Sequence, residues 1–237
     1  MKVYVCGDIH SNINISKLST SEWPEQKELN EEDLLIILGD FGLFWANEQT
    51  KEEKYWLDWL CTKKCTVAFI DGNHENHPII NNFPVENRWG GNVHICHKYN
   101  DRHIYHLMRG EVFTFDNRTA FVMGGATSTD KKYRREYISW WREETPQVLH
   151  WTHAENNLNL YHNEVDFILT HTCPTIIKHK FDIYVNGVDD YKCNTSDLFD
   201  TVMNTVKFRA WHFGHLHQDR NYDNFYCHYN NIPMRII

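Results

Sequence analysis

Short apolar runs recur along the chain, and most of them stop on a polar residue. Residues 2–6, with Val3, Tyr4 and Val5 at their centre, predict a first strand that ends at Gly7. Residues 33–38 carry the unbroken run Leu34-Leu35-Ile36-Ile37-Leu38 and predict a strand buried on both faces, ending at Gly39-Asp40. A third strand, Thr66–Ile70, ends at Asp71-Gly72-Asn73-His74-Glu75. Helical patterns fall near residues 15–23, over 52–60 with Tyr55, Trp56, Trp59 and Leu60 on one face, and over 78–83, 152–161 and 196–206. Residues 93–96, 104–107, 111–115 and 119–123 predict a meander of short strands, with Asp116-Asn117 as a hairpin turn. Residues 165–169 and 209–213 predict strands ending at His171 and at Gly214-His215-Leu216-His217, and 225–237 predicts closing strands. A polar insert separates 172 from the helix at 196. Residues 127–147 mix charges with Trp140 and Trp141 and predict a surface loop or lid. Alternating strands and helices without repeat or linker predict one α/β domain over residues 1–237.

Composition narrows the function. A net charge of −8 argues against a general nucleic-acid binder, though not against a local positive site. No apolar segment is long enough to span a membrane. The first strand begins at Lys2, which leaves no room for a leader. Seven cysteines without a CxxC pair predict reduced thiols and a cytoplasmic location.

The chemistry-bearing residues sit at the strand ends. Asp8 and His10 are spaced i, i+2, so extended backbone points both to one side. Asp40, Asn73, His171, and the pair His215 and His217 follow later strands. Strand C-terminal ends of an α/β sheet open onto one edge, where ligands bind. Seven oxygen and nitrogen donors on one edge suffice for two divalent ions. Taken singly, each has a plainer role: Asp40 as a helix N-cap, Asn73 as a turn residue, His171 as a hydrogen-bonded core histidine, His215 and His217 as a mononuclear structural site. None of these explains the common placement at strand ends.

Gly7-Asp8-Ile9-His10, Gly39-Asp40, Gly72-Asn73-His74-Glu75, His171 and Gly214-His215-Leu216-His217 resemble, in order, the five motif blocks of the calcineurin-like metallophosphoesterases. The resemblance spans residues 7–217. It implies a four-layer α/β sandwich of two mixed sheets between helices. It implies two metals bridged by Asp40, one completed by Asp8, His10 and His217, the other by Asn73, His171 and His215. His74 would lie over the phosphate and assist the leaving group, with Glu75 supporting it. The implied reaction is hydrolysis of a phosphomonoester or phosphodiester by in-line attack of a metal-bridging hydroxide. Two divalent ions would leave a local positive excess that draws phosphate to an acidic chain. Carboxylate, amide and imidazole donors suit Mn, Fe, Zn or Ni. The implied partner is a small phosphate ester, with nucleotides among the candidates. A non-catalytic protein-binding scaffold and a Mn-dependent nuclease are the alternatives.

The chain departs from the serine/threonine phosphatases of that superfamily. They carry Asp-Arg-Gly after the bridging aspartate, whereas here Asp40 is followed by Phe41-Gly42-Leu43-Phe44-Trp45. Arg88, Arg109, Arg134 and Arg135 are candidates to replace that phosphate-binding arginine. Trp45, Trp140 and Trp141 suit either a stacking wall or lid packing.

Overall fold

The computed structural model describes residues 1–181 and 194–237. The chain opens with β1 (Val3–Cys6), β2 (Leu34–Leu38) and β3 (Thr66–Ile70), three parallel neighbours, with α1 (Lys51–Cys61) between the last two. After α2 (His77–Ile80) come β4 (Val85–Arg88), β5 (Gly91–Tyr99) and β6 (Arg102–Leu107). These pair antiparallel, and β6 docks parallel to β3. The chain then crosses to a second sheet through β7 (Val112–Phe115) and β8 (Arg118–Met123). There follow α3 (Val148–Leu160), β9 (Phe167–Thr170), α4 (Thr175–Lys180), α5 (Asn194–Thr205), β10 (Ala210–Phe213), β11 (Arg220–Tyr222) and β12 (Phe225–Cys227). Finally β13 (Met234–Arg235) returns to pair with β1. The sheets run β13-β1-β2-β3-β6-β5-β4 and β11-β12-β10-β9-β8-β7.

Side-chain alternation produces the layers. Val3, Val5, Leu34, Ile36 and Leu38 face the second sheet and meet Phe113, Phe115, Ala120, Val122 and Leu169. The intervening Tyr4, Cys6, Leu35 and Ile37 face outward and pack under Leu57 and Leu60 of α1. Phe121, Ile168, Trp211 and Phe213 do the same for the second sheet beneath α3, α4 and α5. Strands covered on both faces read as unbroken aliphatic runs, as β2 does. The architecture is the four-layer sandwich of two mixed sheets that the resemblance implied.

Several local expectations change. Residues 15–23 do not form one helix: Ile15–Leu18 and Pro24–Glu28 are separate 3-10 turns. α1 buries Glu53, Leu57, Leu60 and Cys61, while Tyr55 is exposed. Its Glu53 is turned in by a capping box with Thr50 and also accepts the Trp45 and Ala46 N–H groups at 3.0 Å. The four middle strands are not one meander, because β5–β6 and β7–β8 belong to different sheets. Asp116 and Asn117 do form the two-residue turn of β7–β8, both with positive φ (46° and 64°). Strand β4 went unpredicted, since Val85-Glu86-Asn87-Arg88 is an edge strand with little apolar content. Part of the polar insert after 172 lies outside the described residues; α4 occupies its start.

Candidate metal centre

Parallel pairing sends the chain off β1, β2 and β3 at one edge of the first sheet, and off β9 and β10 at the matching edge of the second. The two edges touch where His171 Nδ1 donates to the Leu38 carbonyl at 2.9 Å. All seven expected donors converge there. Asp8, His10, Asp40 and His217 offer ligand atoms within 4.8 Å of one another, and so do Asp40, His171 and His215. Asp40 belongs to both groups. Its Oδ2 lies 3.2 Å from His10 Nε2 and its Oδ1 lies 3.3 Å from His171 Nε2. Asp8 Oδ2 lies 3.2 Å from His217 Nε2. Asn73 reaches the second group through Oδ1, 3.0 Å from His171 Nε2.

The backbone is bent to achieve this. His10, Asp40, His215 and His217 all have left-handed φ, between 44° and 64°. Each such residue costs on the order of 1 kcal/mol. A Cβ on Gly72 would strike Asp40, and one on Gly214 would strike Asp8, so only glycine lets these loops approach the carboxylates.

Charge balance indicates what the pocket suits. Asp8 and Asp40 are buried, and among the described residues their ion pairs are to histidines only. Burial works against the Asp40 carboxylate and against a charged His171. Their mutual attraction prevails: Asp40 is held well below its usual range, and His171 rises to about 10 with help from Asp8. His215, half-buried and facing His171, is driven well down by desolvation and by the His171 charge. Two buried carboxylates compensated only by imidazoles that can surrender protons are a donor set that fits divalent cations. With Nδ1–H committed to Leu38, His171 turns Nε2 toward the Asn73 and Asp40 oxygens, the position from which it would bind a metal.

Neighbouring residues hold these donors in place. Asn73 Nδ2 donates to Ser128 Oγ at 3.1 Å, and Ser128 Oγ donates to buried Glu144 at 2.6 Å. The Asn73 amide is thereby turned with its oxygen toward the donors. The His74 N–H donates to Asp40 Oδ1 at 2.8 Å. Its ring lies 5.8 Å from that of His10 and 6.1 Å from that of Trp45. Burial holds the His74 imidazole below its ordinary value against the pull of Asp40. Glu75 accepts the Phe41 N–H at 2.6 Å and the Gly42 N–H at 3.2 Å, fastening the loop after β3 to the loop after β2. Its support therefore goes to the Asp40 loop. Burial, with the Asp40 charge, pushes the Glu75 carboxyl well above its usual range.

Sequence reasoning missed two lysines. Lys17 is buried, and its Nζ donates to the Gly7 and Asp8 carbonyls at 3.0 and 2.7 Å and to that of Tyr229. The one available signal was a lone cation inside the apolar turn Ile15-Ser16-Lys17-Leu18. Lys178 lines the cleft beside Asp40, Asn73, His74 and His215; nothing in its sequence context marks it. The arginines considered earlier are placed otherwise. Arg88 stacks on Trp89 and Tyr105, Arg109 is bound to Asp71, and Arg135 is exposed. Arg134 pairs with Asp130 at 2.7 Å and lies 5.9 Å from the Trp45 ring. Trp141 is buried and packs edge-on against Trp45.

A family model described as calcineurin-like phosphoesterase matches residues 1–219. No curated protein matches the chain. The match covers most of the chain, and the protein belongs to the calcineurin-like phosphoesterases. It is in general terms a metal-dependent phosphoesterase, with donor clusters for metal.

Proposed function

On the premise of that membership, we propose that the protein hydrolyses small phosphate esters with two divalent ions that share Asp40. Asp8, His10 and His217 complete one site; Asn73, His171 and His215 complete the other. The observation that carries this reading is the pair of donor groups joined through Asp40, with no lysine or arginine ion-paired to Asp8 or Asp40 among the described residues. The donors are oxygen and imidazole nitrogen without a thiolate, a set suited to Mn, Fe, Zn or Ni. When bound, two such ions supply charge stabilisation for a phosphoryl group and lower the pKa of water.

The chain's own residues do the rest. Glu75, Ser128 and the Leu38 carbonyl hold the donors before substrate arrives, so little reorganisation accompanies the reaction. His74 sits at the cleft with its main chain tied to Asp40, and its ring donates a hydrogen bond to the departing ester oxygen. Substrates are small phosphate esters, nucleotides among them. Cys6, Cys61, Cys65, Cys96 and Cys227 are buried free thiols, which supports a reducing, cytoplasmic setting. Among the described residues no helix is long and apolar enough to cross a membrane.

The test is turnover of an aryl phosphate and of its diester, with metal analysis, for wild type, Asp40→Asn and His74→Gln. Asp40→Asn should lose metal and turnover. His74→Gln should keep metal and lose turnover. Full activity in both variants would remove the mechanism, and a metal-free, inert wild type would favour a binding scaffold.

A further inference from the structure

Three lysines are buried among the described residues: Lys17, Lys63 and Lys178. Lys17 is saturated by three carbonyls. Lys63 donates to the Leu18 carbonyl and to Gln26 Oε1, and its ammonium sits 3.6 Å from the Trp59 ring centre. Lys178 differs. It is only 8% exposed, yet among the described residues its ammonium has neither a hydrogen-bond partner nor a carboxylate within ion-pair distance. It lines the cleft of about 310 Å3 above the metal donors, with Thr129, Asp130 and Leu216 completing the wall. Asp130 is already engaged by Arg134. A neighbouring imidazole, His215, is repelled by the Lys178 charge rather than paired with it. The stem of Lys178 is buried while its unpaired ammonium keeps access to solvent, so an anion entering there meets a cation with no competing partner. Here the open side of the ammonium is the substrate cleft.

We propose that Lys178 is the side chain that binds a terminal phosphoryl group, and that the substrate class is accordingly the phosphomonoester. This rests on the hydrolytic reading above and narrows it. A terminal phosphoryl group carries about −1.5 to −2 charge at pH 7 and three free oxygens. A diester carries one charge and two free oxygens. The additional charge and the additional oxygen are what a cation beside the metals recognises. Lys178 thus occupies the role left open by the missing arginine after Asp40, but it arrives from α4, on the opposite sheet.

Lys178→Met keeps the aliphatic stem and removes the charge. With manganese-loaded protein, its kcat/KM for an aryl phosphate should fall about tenfold or more, chiefly through KM, while that for the matching aryl diester changes by less than about threefold. Lys178→Arg should retain most of the monoester activity. A second readout needs no turnover: orthophosphate should raise the melting temperature of manganese-loaded wild type, and this rise should shrink in Lys178→Met. Equal losses on both esters, or an unchanged phosphate-induced rise in Lys178→Met, would overturn the assignment. A wild type inert on both esters whose phosphate-induced rise still depends on Lys178 would overturn hydrolysis and leave the anion site standing.

Discussion

Asp40 and Asp71 leave neighbouring parallel strands, β2 and β3, at the same edge, and each is about 1% exposed. Asp71 is closed off. It accepts from Arg109 Nε at 2.8 Å, from an Arg109 terminal nitrogen and from His106 Nε2 at 3.0 Å, and its carbonyl accepts the Gly125 N–H at 2.8 Å. His106 is stacked on His94, with their Nδ1 atoms 2.9 Å apart. Burial opposes both carboxylates, yet both are held well below their usual range, Asp71 by Arg109 and Asp40 by His171 and His10. An arginine keeps its proton at any ordinary pH, so Asp71 is neutralised for good. Imidazoles can release theirs, so Asp40 stays available to a metal. Two aspartates one residue apart in register, Asp71 level with Gly39 and Asp40 level with Gly72, thus differ in the cation each faces: Asp71 is locked as a structural anchor, and Asp40 is left open to a metal.

The comparison can be broken most sharply at Asp40. Asp40→Asn should reduce aryl phosphate turnover by about a thousandfold, because the charge stabilisation of a metal pair is worth several kcal/mol, with circular dichroism showing a folded chain. At Asp71 the cost should appear in stability. Arg109→Met leaves a buried carboxylate without its counter-charge and should lower the urea-unfolding free energy by about 3–5 kcal/mol. Next comes linkage. Manganese at a hundredfold excess over its dissociation constant should stabilise chelator-treated wild type by about 2.7 kcal/mol, a gain that persists in Arg109→Met and shrinks in Asp40→Asn. The smallest effect is expected at Ser128, which orients Asn73 without touching either aspartate. Ser128→Ala should weaken metal affinity about tenfold, measured by competition with a chelator.

Much of the site was legible because its donors follow aliphatic strands by one to four residues, and strand ends locate themselves. The runs before Asp8, Asp40 and Asn73 are unbroken, and each strand is covered on both faces. What distinguishes Asp40 from Asp71 was not legible, since Arg109 lies 38 residues beyond its partner and reads in sequence as any surface arginine. Lys178 was hidden for the same reason: Ile176-Ile177-Lys178 resembles a surface helical turn, and only the second sheet's approach to the first puts it in the cleft. The division of β5–β6 from β7–β8 was equally invisible, because two successive hairpins have the same pattern whether or not they share a sheet. Residues 127–147 read as charged and aromatic surface, yet Ser128, Trp141 and Glu144 are buried: Ser128 bonds to Glu144 across 16 residues, and Trp141 packs against Trp45 of a distant loop.

The most direct measurement is anomalous diffraction from crystals grown with manganese. Two peaks should appear about 3.5–4 Å apart with the Asp40 carboxylate between them, the first against Asp8, His10 and His217 and the second against Asn73, His171 and His215. A single peak, or a pair that leaves Asp40 without a metal, would contradict the shared-aspartate centre.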